Sequence, residues 1–299
     1  MFPPFNSFSK NHIRQTMTND KSSSPSFDDL RQNIDAIDRE IHALLMRRAD
    51  VVMALGALKK TDGGASAPLA LRPGREAVIL RKLAETHKGP FPLPALLGIW
   101  RSMISAYLHM QTPFNVLVPQ QDQGISFGAG SLWDLARSHF GAAIPIHTAA
   151  SPRAIVTALA HDPTLLGVLP RPTLDDWWTT LPLGHADRPH IVAALPAWSS
   201  DGPHAYLLSR TPPEPMGADV ALILVRGTEM DSSVILQAAH RAGLDDASIS
   251  AYKAGIDGHA SHLIATRRLD AVAGAEGPLA AAVRGEAGLA GLFAEPLAL

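Results

Sequence analysis

From Leu30 to Lys60 the chain reads LRQNIDAIDREIHALLMRRADVVMALGALKK, with apolar residues returning every three or four positions. At about 100° per residue, Ile34, Ile37, Ile41, Leu44, Leu45, Val51, Val52 and Leu55 fall within an arc of about 120°, the stripe of an amphipathic helix. Ser26 followed by Asp29 resembles a capping box, and Asp28 and Asp29 suit the positive end of the helix dipole. Lys59 and Lys60 suit the other end, where the Gly-rich TDGGASAP stops the pattern. At about 1.5 Å per residue this helix is about 45 Å long. A second helix is expected from about Pro73 to His87 and is broken by GPFPLP. A third, PALLGIWRSMISAYLHMQ, ends before Thr112-Pro113. Its stripe is Leu96, Trp100, Met103, Ile104 and Tyr107, and Gln111 continues it. Two short helices cannot cover the long one, so pairing with a second copy is the simplest way to complete this core.

After Phe114 the pattern changes to short apolar runs separated by Gly and Pro. FNVLV, LLGVLP and AYLLS read as strands, LWDLARSHFG and PRAIVTALA as helices, and a Trp- and Pro-rich stretch up to about Ala197 resists assignment. The last 80 or so residues read strand DVALILV, helix SSVILQAAHRAG, strands SISAYKA and SHLIATR, helix PLAAAVRGEA and final strand LFAEPLAL. That is βαββαβ, the ferredoxin-like order. The expected organisation is therefore multi-domain, α plus α/β. A polar, disordered tail spans 1–26 with Met17 as an alternative start, an all-α domain spans 27–112, a truncated α/β region 113–212 and the βαββαβ domain 213–299.

Of 299 residues, 46% are apolar and 18% charged, which fits a globular chain. A net charge of −2 leaves no global basic field for nucleic acid or an anionic membrane, so any anion site must be local. The absence of cysteine excludes disulfides, thiolate metal sites and a cysteine nucleophile, and suits a reducing cytoplasm. No apolar run approaches the roughly 18 residues of a membrane span.

Two cations interrupt the stripe of the first helix. Arg48 lies near its centre and Lys59 within about 20° of the centre, three turns further on. A buried unpaired charge costs several kcal/mol, so both need anions. Either Glu76 and snorkelling stems satisfy them structurally, or they face an anion pocket between helices. Arg31 lies about 25 Å from Arg48 along the axis, too far for the same pocket in one subunit but within reach of a partner's pocket in an antiparallel pair.

The pattern LRxxIDxIDxxIxxLLxxR, Lys59 eleven residues beyond Arg48, REAxxLxxL at Arg75-Glu76 and ISAxLxxQ closing on Gln111 together resemble the all-helical chorismate mutases of the AroQ class. That resemblance implies a domain-swapped dimer that rearranges chorismate to prephenate with neither cofactor nor metal. It assigns Arg48 and the partner's Arg31 to the substrate carboxylates, and Lys59 and Gln111 to the ether oxygen. Glu76 takes the ring hydroxyl and Arg75 supports it. Tyr107 stands where a small residue is usual and either narrows the pocket or lends its hydroxyl; Arg72 stands where an acid is frequent. A Claisen rearrangement needs only a compact conformer and stabilisation of charge developing on the breaking C–O oxygen, which these residue types supply.

LARSHFG, SPRAIVTALAHDPTLLGVLP and the βαββαβ end resemble a prephenate dehydratase catalytic region followed by an ACT-type domain. Here Arg171-Pro172 replaces an Asn/Ser-bearing turn, His204-Ala205-Tyr206 replaces the Thr-Arg-Phe strand, and the second lobe is missing, which implies a non-catalytic region. Asp231-Ser232-Ser233-Val234 and Ser250-Ala251-Tyr252-Lys253 replace the signatures used for phenylalanine. Two rivals stand beside a homodimeric mutase with a non-catalytic extension: a bifunctional mutase–dehydratase, and a helical dimerisation protein whose extension binds a ligand. FGAGS at 127–131 is expected to be a plain strand–helix turn, His185, His190, His259 and His262 solvated histidines without metal, and DDWWTTL a packing segment.

Overall fold

The computed structural model describes residues 25–63, 69, 71–120, 131–184, 187–215, 217, 219–229, 231–255 and 258–299; for 59–63 it describes the helical backbone. Among the described residues are seven helices and nine strands, in two compact units that meet in sequence at Val51 and Val52.

The first unit ends within α1 (Phe27–Gly63). The expected capping box is present: Asp29 N donates to Ser26 Oγ at 3.1 Å, and Ser26 N donates to the Asp29 carboxylate at 3.0 Å. The stripe expected in a core is instead open within one chain. Ile34, Ile37, Ile41 and Leu44 leave half or more of their surface in water, and Val51 reaches 68%. A single long helix closes its own hydrogen bonds but cannot bury its own apolar face.

In the second unit, prolines in the first turn start α2 (Pro73–Thr86) and α3 (Leu93–Gln111), where a missing N–H costs nothing. The stripe read for α3 needs correction. Leu96, Trp100, Met103 and Ile104 are only half-buried, while the adjacent row Leu97, Arg101, Ser105 and Leu108 is buried. That row faces neighbours within the chain, as Leu108 shares a core with Leu69, Leu71, Phe114 and Phe140.

The strands form one sheet in the order β2-β1-β3-β5-β4-β9-β6-β8-β7. Its parallel end comprises β1 (Asn115–Pro119), β2 (Ile146–Ala149) and β3 (Leu165–Pro170). The helices α4 (Leu132–Phe140) and α5 (Pro152–His161) follow Ser131 and Ser151, whose hydroxyls accept the N–H groups of Asp134 and Ala154. The antiparallel pair β4 (His190–Leu195) and β5 (Ala205–Ser209) comes next. β2 was not anticipated, because only one of its four residues is fully buried and it shows no apolar run. The unassigned Trp- and Pro-rich stretch contains β4 and a 3-10 turn, Trp177–Thr180. Both tryptophans are buried, their indole N–H groups donating to Pro170 O (2.8 Å) and Pro172 O (3.1 Å), so this segment packs as expected.

The far end has the expected βαββαβ order: β6 (Asp219–Gly227), α6 (Ser232–Arg241), β7 (Ser248–Ala254), β8 (Ala260–Thr266), α7 (Leu269–Val283) and β9 (Glu286–Ala294). Two boundaries move. The helix read from Pro278 begins at Leu269 and passes through the proline, because Val272, Ala275, Leu279 and Val283 bury one face on the sheet. That burial outweighs one missing hydrogen bond. The last strand ends at Ala294 and does not run to Leu299, since Pro296 cannot donate to a ladder. β9 also joins the two halves of the sheet, pairing with β4 through Ile191 and Gly291. A Cβ at Gly291 would lie 2.3 Å from Ile191 O, so a larger residue would hold the strands apart.

Candidate active site

In the first unit, Arg31 Nη1 lies 3.3 Å from the Asp28 carboxylate one turn earlier, and both side chains are largely in water. Such a pair holds weakly and leaves the guanidinium available. Arg48 is half-buried on the stripe. The side chain of Lys59 lies outside the described residues, as do the first four residues of FGAGS and His185, while His190 and His262, expected to be solvated, are buried on β4 and β8.

In the second unit, Gln111 reaches α1. Its Nε2 donates to Val52 O at 2.6 Å, and its stem lies against Gly56, where a Cβ would stand 3.4 Å from Gln111 Cγ. An amide carries two N–H groups, so this bond orients the head and leaves a second donor. Tyr107, one turn back on α3, is buried. Arg75 is exposed.

Glu76 is engaged elsewhere. Its carboxylate forms an ion pair with the buried Arg101, whose Nη2 lies 2.8 Å from Nε2 of the buried His139 on α4. A guanidinium only donates, so this imidazole nitrogen accepts and carries no proton. Burial, and then the nearby Arg101 charge, push the His139 pKa well below 6.5. Arg101 and Gln111 are ten residues apart on α3, about 15 Å along the axis. Within one chain, therefore, Glu76 on α2 meets α3 at Arg101, at a different level from Gln111. Arg101 and His139 were missed by sequence reasoning. The signal was present: Arg101 interrupts the row of Leu97, Ser105 and Leu108 just as Arg48 interrupts the stripe of α1. Arg72, the departure noted above, donates twice to one Glu214 carboxylate oxygen, at 3.0 and 2.7 Å.

Residues 30–112 match the family model described as chorismate mutase type II. The match is confined to the segment that contains α1, α2 and α3. A bifunctional chorismate mutase/prephenate dehydratase from Neisseria gonorrhoeae is 35% identical over 86 residues, 29% of this chain and 22% of that protein. The Pseudomonas aeruginosa protein of the same description is 27% identical over 142 residues, 47% of this chain and 37% of the relative. Each match thus spans well under half of the relative's length. Among solved structures, the prephenate dehydratase from Streptococcus mutans aligns with a TM-score of 0.42 at 9% identity, covering 62% of this chain and all of that one. The chorismate mutase segment contains every candidate named above, from Arg31 to Gln111. Among the described residues, no group of three or more His, Asp and Glu is arranged to hold a metal, and no helix is long and apolar enough to cross a membrane.

Proposed function

We propose that this protein is a chorismate mutase acting as a homodimer in the cytoplasm. The observation that carries the reading is the family match over 30–112, inside which Arg31, Arg48, Lys59, Arg75, Glu76 and Gln111 all occur at the expected spacing. A pure dimerisation helix would be more stable with leucine at Arg48 and Lys59. The open stripe of α1 supports the dimer, since a second copy of that stripe is the surface that matches it.

In this reading Arg48 and the partner's Arg31 grip the two carboxylates of chorismate through planar, charge-assisted forks and hold the compact conformer. Lys59 and the second N–H of Gln111 face the ether oxygen as charge develops there. Glu76 takes the ring hydroxyl with Arg75 beside it, and Tyr107 closes the pocket. No proton is transferred and no covalent intermediate forms.

A second reading is favoured by the Pseudomonas match, which is longer than the helical segment and whose relative is described as bifunctional. Against it, Arg171-Pro172 and His204-Ala205-Tyr206 stand where the dehydratase resemblance implies other side chains. Incubating the purified chain with chorismate, while following prephenate and phenylpyruvate separately, separates the readings. Prephenate alone is expected. Both products would favour the bifunctional reading, and neither would favour the dimerisation protein.

A further inference from the structure

One cavity of the second unit lies far along the chain from the mutase segment, where β6 and β7 end and β9 begins beside the 3-10 turn. It has a volume of about 670 Å³, within the range of small-molecule sites, and its lining includes Arg153, Arg226, Lys253 and Arg284 against Asp176 and Glu286. In a chain of net charge −2, four cations facing two carboxylates in one cavity is a local excess of positive charge.

The walls are tied together. Asp176 sits between Arg153 (2.8 Å) and Lys253 (3.3 Å). Arg226 bridges the two sides, with one Nη donating to Thr179 O at 2.8 Å and the other 2.7 Å from Glu286, and its buried Nε has no partner among the described residues. The backbones behind it are drawn close: a Cβ at Gly227 would lie 2.2 Å from Val283 O, and one at Gly285 would lie 2.0 Å from Arg226 O. That approach sets Arg284 beside Arg226. Arg284 has left-handed backbone (φ 54°, ψ 50°) at the end of α7, a position usually held by glycine. It is exposed and belongs to none of the ion pairs between described residues.

We propose that this cavity is a binding site for a small doubly charged anion, a dicarboxylate or a phosphate. The two carboxylates already present neutralise part of the cationic lining and fix its geometry, and a dianion supplies the two charges that remain. Arginine forks suit the planar or tetrahedral oxygens of either group.

The test is calorimetric titration of the full chain at low ionic strength with succinate, with inorganic phosphate and, as a singly charged control, with acetate. One site per chain is expected, binding succinate or phosphate at least ten-fold more tightly than acetate; whichever dianion binds tighter identifies the ligand class. Arg284→Gly should weaken that binding at least ten-fold with an unchanged melting temperature or a higher one, because glycine accepts this backbone. Arg284→Lys should retain most of the binding. Arg48→Ala should leave it intact, which separates this cavity from the mutase site. Equal affinity for acetate and the dianions, or unchanged binding in both Arg284→Gly and Lys253→Met, would overturn the proposal.

Discussion

In α1, isoleucines and leucines at helical spacing leave about half of their surface in water, whereas in β6 seven consecutive residues from Asp219 to Val225 are buried. The sheet finds its partners within the chain: β8 and β9 flank β6, α6 and α7 cover one face, and Trp177 and Trp178 join the core on the other. Along the described stripe of the helix, Ile34, Ile37, Ile41, Leu44, Val51 and Leu55 stay exposed. Yet the family match falls on the helical segment and not on the well-packed sheet. Burial and recognisable chemistry are therefore separated in this molecule. Arg31 and Arg48, two of the residues proposed for the site, lie on the helix whose stripe is open within one chain, whereas Glu76 and Tyr107 lie in the packed part of that chain.

The sharpest way to break this comparison is at Arg48. Arg48→Ala should lower chorismate turnover by about 10³-fold or more while circular dichroism and the dimer remain unchanged, since a cation is removed from an apolar stripe. Mixing it with Arg31→Ala should restore activity at one site of the heterodimer. No recovery after demonstrated subunit exchange would exclude a shared pocket.

Apolar substitutions test the two regions against each other. Ile223→Ala, in the buried row of β6, should cost about 2–5 kcal/mol in chemical denaturation and leave the oligomeric state alone. Leu44→Glu on the open stripe should convert the dimer to monomer in analytical ultracentrifugation while the sheet still unfolds cooperatively. If Leu44→Glu stays dimeric, the stripe is not the interface.

Gln111→Glu should confine turnover to acidic pH, because a carboxyl donates to the ether oxygen only when protonated, while the parent shows no such requirement. Activity equal to the parent's at neutral and alkaline pH would remove α3 from the chemistry.

The smallest effect concerns His139. Its folded pKa lies well below 6.5, so below that pH the unfolded chain takes up a proton that the native protein excludes. Stability should fall by up to about 1.4 kcal/mol per pH unit as pH drops below 6.5, before the carboxylates begin to titrate. His139→Gln should flatten that slope in urea melts between pH 6.5 and 5. An unchanged slope would mean that the imidazole is already protonated in the fold.

Periodicity alone determined α1 with its Ser26 cap, the three-helix order and the βαββαβ end, because a helix stripe, a capping hydroxyl and an apolar strand are local facts of spacing. The stripe cations were also legible, since charge on an apolar row is visible without coordinates. Other features depended on tertiary structure. β2 is a strand because β1 pairs with it, not because of its own composition. α7 passes through Pro278 because its stripe lands on the sheet, and β9 stops at Ala294 after crossing to β4 at Gly291. The burial of Glu76 with Arg101 and His139 depends on the approach of α2, α3 and α4, residues up to 63 positions apart. The cationic cavity depends on β6, β7 and α7 ending beside a 3-10 turn. Local periodicity follows from one stretch of backbone; pairing partners and shared cavities depend on which distant segments can come within hydrogen-bonding distance, and only the folded chain decides that.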